Sequence, residues 1–150
     1  MDKEELVDVL NTLIETSKDG ELGFRTCAEQ SHSPALRLLL QRRATECQQA
    51  ATELQMLVRQ HGGEPETQGT ISGAVHRGWV AARARMAAVE DEAILEEAER
   101  GEDLALRRYA DAIAEPLPPD VHGAVRRHLE GVTRNHDQIR RLREQLIAGA

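Results

Sequence analysis

Aromatic residues are nearly missing from this sequence: 2% of the chain, as one Trp, one Tyr and one Phe. An apolar interior must then be built from Leu, Ile, Val and Ala, which favours helix over sheet. Cysteine is scarce too. Cys27 and Cys47 lack the spacing of a metal knuckle or a redox pair. They read as small apolar core residues in a reducing compartment. No apolar run approaches the ~20 residues a membrane span requires. The opening MDKEELVDVL is acidic and has no signal-peptide apolar region. The expected location is the cytoplasm, with no membrane partner. Positive charge is in the minority, the formal net charge being -7. Nucleic-acid binding needs a basic face and is not expected. The paired arginines Arg42-Arg43, Arg107-Arg108, Arg126-Arg127 and Arg140-Arg141 sit among acids and read as solvated helix faces. HGGEPETQG lacks the Lys-Ser/Thr end of a phosphate loop. No serine elbow or catalytic Cys-His pattern occurs either.

What is present is helical periodicity. At 150 residues the chain suits one domain with its own core. Apolar residues recur at spacings of three and four in segments of about 3–30, 34–60, 71–87, 91–114 and 120–147. The inward stripes are Leu6, Leu10, Leu13, Ile14, Phe24 and Ala28, then Leu36, Leu40, Cys47, Ala51, Leu54 and Val58. Further on they are Leu95, Ala98, Ala105, Tyr109 and Ile113, then Val125, Leu129, Val132, Ile139 and Leu146. Ser33 suits an N-cap and Pro34 a first helical position. Four long helices make an all-α four-helix bundle. Short first and last links make two antiparallel hairpins. The long middle connection, with a helix of its own carrying Trp79, makes a crossover of the ferritin-like kind.

The hairpins look like copies. Shifted by 81 positions, Leu13, Ile14, Glu15, Gly20 and Glu21 fall on Ile94, Leu95, Glu96, Gly101 and Glu102. Shifted by 84, RRATE (Arg42 to Glu46) falls on RRHLE (Arg126 to Glu130). Glu21 and Glu102 lie on apolar stripes, where a buried carboxylate needs an Arg, a hydrogen-bond network, protonation or a metal. At roughly 1.5 Å rise per residue, Glu46 lies about 3 Å from the level of Glu21 along the axis, and Glu130 is similarly close to Glu102. Glu21, Glu46, Glu102 and Glu130 are therefore expected to share one layer. A dinuclear carboxylate site uses such a plan, with Glu-x-x-His on two helices. Here the histidine positions hold Gln49 and Thr133. His136 is the candidate substitute ligand; its simpler reading is a core histidine bonded to an acid of a neighbouring helix such as Glu99. Glu29-x-x-His32 lies far from the layer, at a turn. His61, His76, His122 and His128 sit at ends or mixed faces and carry little signal. Tyr109 reads as core packing. The same axial arithmetic separates Cys27 from Cys47 by roughly 13 Å and rejects a disulfide.

The stretches LIETSKDGELGFR, HRGW, ILEEAERGEDLALRRY and RNHDQIRRLR resemble an uncharacterised bacterial family of four-helix-bundle proteins in the ferritin-like superfamily. The similarity runs from about Leu6 to Leu146. It implies a bundle and, in active members, a non-haem di-iron or dimanganese centre. Carried over, that centre reaches Glu21, Glu46, Glu102 and Glu130 and fails at Gln49 and Thr133. The leading expectation is a ferritin-like bundle of unassigned role, stress response being one candidate, with a degenerate carboxylate layer. It would act through binding or assembly, including homo-oligomers through helical faces, rather than as an enzyme. One alternative is an iron- or manganese-binding protein with oxidase or peroxide chemistry. Another is a helical module that docks a partner.

Overall fold

The computed structural model describes residues 1–70 and 90–148. They hold four helices: α1 (Lys3–Gln30), α2 (Pro34–Gln60), α3 (Asp91–Ile113) and α4 (Pro119–Ala148). The expected helix around Trp79 lies outside the described residues. Local chemistry sets the helix ends. Asp2 accepts from the Glu5 N–H at 2.8 Å while Glu5 accepts from the Asp2 N–H at 3.2 Å, a reciprocal cap on α1. Ser33 caps α2 ahead of Pro34, as the sequence predicts. At the far end, Gly62 takes φ +82 and donates to Arg59, and Gly63 donates to Val58 at 2.9 Å. This is a Schellman ending, which asks for glycine in the left-handed region. Gly63 meets a second demand: a Cβ there would sit 2.5 Å from Val7 of α1.

Contacts between helix ends fix the topology. His61 at the end of α2 bonds Asp120 at the start of α4 at 2.9 Å. At the opposite end, Asp91 opens α3 and accepts from the backbone N–H groups of His32 and Ser33 at 2.8 and 2.9 Å. Each hairpin is thus antiparallel, and the chain must travel the length of the bundle between α2 and α3. The first part of that journey is described. Glu64 and Glu66 bond Asn11, and Thr70 bonds Asp19, so the chain climbs along α1. This is ferritin-like connectivity. No described helix is long and apolar enough to cross a membrane.

Among the described residues the core forms two separate apolar clusters. One gathers Leu10, Leu13, Leu54, Val58, Tyr109, Val121 and Val125. The other gathers Phe24, Cys27, Leu36, Leu40, Cys47, Leu95 and Ile139. Between them run polar residues. Leu146 departs from the expected inward stripe: it is 41% exposed. The last turns of α4, from Glu144 onward, are exposed, so periodicity there outlasts the packing that would use it.

Candidate functional site

The middle layer is built around an ion pair. Glu102 of α3 is 0% exposed and Arg43 of α2 is 6% exposed. The Arg43 Nε donates to Glu102 Oε2 at 2.9 Å and Nη2 donates to Oε1 at 3.0 Å. Such a fork fills both carboxylate oxygens in one plane. The guanidinium also lies 5.4 Å from the centre of the Phe24 ring. Burial raises the Glu102 carboxyl above its ordinary value, and the charge and hydrogen bond of Arg43 oppose the rise. Arg43 was expected on a solvated face, and the structure corrects this: only Arg42 of that pair is exposed. The signal was present, since position 43 lies one helical repeat from Leu36 and one turn from Cys47.

Of the expected layer, Glu21, Glu46 and Glu102 come together around Cys47. Burial pushes the Cys47 thiol up to about 12; Arg43 opposes this, and Glu102, Glu46 and Glu21 add to it. Glu21 pairs with Arg25 at 3.5 Å along its own helix. Glu46 is half-buried, lies 3.9 Å from Arg43 Nη1 and accepts from Asn135 Nδ2 at 2.9 Å. Glu130 is not among them. It is exposed, because its place at the border of the α4 stripe turns it to solvent. His136 is buried and bonds Asp103 of α3 at 2.7 Å, an acid of the neighbouring helix but not Glu99. Glu99 instead pairs with Arg143 at 2.8 Å. Cys27 and Cys47 are both free and buried.

These residues do not fit a dinuclear metal shell. Both oxygens of Glu102 are taken by a cation that belongs to the chain, and Glu130 is outside the layer. Among the described residues, no three His, Cys, Asp or Glu side chains are grouped so as to hold a metal ion.

One histidine read as uninformative proves central. His128 Nε2 lies 2.7 Å from Glu53 Oε1 and its Nδ1 lies 3.3 Å from the Tyr109 hydroxyl. Tyr109 in turn lies 3.4 Å from the Ser17 hydroxyl. This polar chain takes one residue from each of the four described helices. Burial lowers the His128 imidazole, and the bond to Glu53 opposes the shift. Burial would raise Glu53, but hydrogen bonds from Arg127 and His128 outweigh it and hold the carboxyl below its ordinary value. Tyr109 is raised by burial, with the Ser17 bond opposing. The missed signal was the position of His128 between Val125 and Val132, within reach of the α4 inward stripe.

A cavity of about 640 Å³ adjoins both groups. Gly20, Gly23, Gly101 and Gly131 line it, so helix backbone is bared at four points of its wall. The glycines differ in what they allow. A Cβ on Gly20 would sit 2.9 Å from Cys47 Sγ, so α1 and α2 approach closely there. A Cβ on Gly101 would meet Phe24 at an ordinary 3.9 Å.

Comparison with solved structures agrees with this architecture. A two-domain protein from Anabaena variabilis containing DJ-1/ThiJ/PfpI-like and ferritin-like domains matches with a TM-score of 0.80 at 12% identity. The match covers 100% of this chain and 39% of that one, so this chain spans well under half its length. A point mutant of Mycobacterium smegmatis Dps1 matches with a TM-score of 0.74 at 13% identity, covering 94% of this chain and 96% of that one. At these identities the likeness is one of fold, and the fold is ferritin-like. No curated protein matches the sequence. The profile of one family matches residues 5–115, most of the chain, and the chain belongs to that family, described as Domain of unknown function (DUF2383).

Proposed function

We propose that this chain is a ferritin-like binding and assembly protein whose central layer is held by an arginine–carboxylate pair rather than by metal, in a cytoplasmic setting. The observation that carries the reading is the two-point bond from Arg43 to Glu102. A buried guanidinium puts a fixed positive charge where cations would otherwise gather, and it occupies the lone pairs they would need. The layer then has no redox centre and serves as structure beside a cavity. Self-association through helical faces belongs to the same reading. Its support is the fold shared with Dps1 and the exposed Leu38 and Met56, which lie five turns apart on one side of α2.

The test is anaerobic loading with Fe(II) or Mn(II), followed by metal analysis of the parent and of a Glu21→Ala/Glu102→Ala variant. The reading expects no stoichiometric metal in either. Stoichiometric metal in the parent that disappears from the variant would establish the iron or manganese alternative instead.

A further inference from the structure

Midway along the bundle, among the described residues, two polar rungs cross the seam between α2 and α4. Glu46 bonds Asn135 at one, and Glu53 bonds His128 and Arg127 at the other. The rungs are two turns apart, or about 10 Å along the axis. Between them stand the small residues Ala50 and Gly131, both on the cavity wall. Their small size lets this part of the seam serve as a window into the bundle, with Arg134 Nη2 and Glu46 Oε2 at its rim. Behind it lie the Tyr109 hydroxyl and Arg43 Nη1, the guanidinium nitrogen that Glu102 does not take and that faces Glu46 at 3.9 Å.

We propose that this window leads to an acid–base binding site for a small neutral molecule with an acidic O–H, of the phenol class, whose proton is taken by Tyr109 backed by His128 and Glu53. The inference rests on the reading of the bundle as a binding protein. Three observations carry it. The first is hydrogen-bond direction. Ionised Glu53 only accepts, so His128 Nε2 carries its proton and Nδ1 is left to accept from the Tyr109 hydroxyl. The second is charge. Among the described residues, six arginines and six carboxylates line the cavity, a balance that suits a neutral guest. The third is size, since about 640 Å³ lies within the roughly 300–1,000 Å³ of small-molecule sites.

The step balances without a further reactant. The guest's O–H proton passes to the Tyr109 oxygen as the Tyr109 proton passes to His128 Nδ1. The products are a guest oxyanion beside Arg43 and an imidazolium beside Glu53, while Tyr109 ends as it began. The groups facing His128 are Glu53 and Arg43 from α2, Tyr109 from α3 and Arg127 of its own helix, with the uncharged Ser17 of α1 one bond further on. Burial keeps the imidazole neutral before the step and opposes the imidazolium that the step forms; the bond and charge of Glu53 at Nε2 offset that cost.

The probe is 4-nitrophenol with the full chain, at a pH about one unit below the probe's own ionisation. Its phenolate absorbs in the visible, so proton transfer on binding reads out as colour. The expected result is a saturable visible band. It falls at least tenfold in Tyr109→Phe, and also in Glu53→Gln, whose half-exposed position spares the core. Gly131→Leu closes the window without touching the relay. A Cβ there meets Arg134 Nη2 at 3.7 Å and Glu46 Oε2 at 4.0 Å, so the start of the new side chain fits, and the band should vanish with the fold intact by circular dichroism. No saturable band, or a band unchanged in Tyr109→Phe, overturns the proposal. Metal loading is a separate outcome: metal found there overturns the ion-pair layer, whereas a missing phenol band leaves that layer standing.

Discussion

Individual positions show what their spacing alone leaves open. Gly20 and Gly101 occupy matching places in the two hairpins, and as a sequence pattern they are equivalent. In three dimensions only Gly20 is pressed against a neighbouring helix, at Cys47. Gly20→Ala should therefore destabilise by about 1–3 kcal/mol through overpacking, despite the ~1 kcal/mol alanine gains in helix propensity. Gly101→Ala should stabilise by about 0.5–1 kcal/mol. Paired urea denaturation curves decide this, and equal shifts of the same sign would contradict it. His128 makes a second residue-scale prediction. Its folded pKa lies below the ordinary imidazole value of 6.5, so the unfolded chain binds more protons in the window beneath that value. Its contribution to stability is lost as pH falls through the window, and that of Glu53, also depressed, is lost below 4.5. Glu102 has the opposite sign: its raised carboxyl favours the fold on acidification. Melting temperatures from pH 7 to 5.5 should fall in the parent, and the fall should be smaller in His128→Gln. Equal slopes would remove His128 as the cause.

Elements were the most legible scale. Ser33-Pro34, the Gly62-Gly63 stop and the three-and-four spacing of Leu10, Leu13, Ile14 and Leu54 announce the helix limits and faces because caps and burial are local properties. What joins one hairpin to the other was not legible. Asp91 reads as an ordinary acid in the first turn of a helix, yet it accepts two backbone N–H groups from the α1–α2 turn. That pairing depends on a sequence separation no periodicity reports. Asp91→Ala should cost about 1.5–3 kcal/mol, since it removes bonds to a charged acceptor at a helix start. Asp91→Asn should recover part of that loss. A loss confined to Asp91→Asn, with Asp91→Ala neutral, would contradict the role. Leu146 fails for a related reason: the α4 pattern continues past the point where its last turns stay buried.

At the scale of the molecule, a polar layer divides two apolar clusters among the described residues, and the sequence likeness of the two hairpins is not carried into that layer. Glu21 and Glu102 correspond, as do Arg43 and Arg127. One half buries its pair, Arg43 with Glu102. In the other, buried Glu21 pairs with the half-exposed Arg25, and Arg127 pairs with Glu53 at the surface. The sequence made the carboxylates conspicuous because acids stand out on apolar stripes. It hid their cation, because an arginine beside another arginine looks like surface. His128 was hidden likewise, since its partners Glu53 and Tyr109 lie on other helices. The claim that Arg43 neutralises the layer is tested most directly by a double-mutant cycle of Arg43→Leu and Glu102→Leu, in buffer containing a metal chelator. Each single variant leaves a buried charge unpaired and should cost about 3–5 kcal/mol, while the double variant should recover most of that loss. Additive costs, with no coupling between the two positions, would contradict the account.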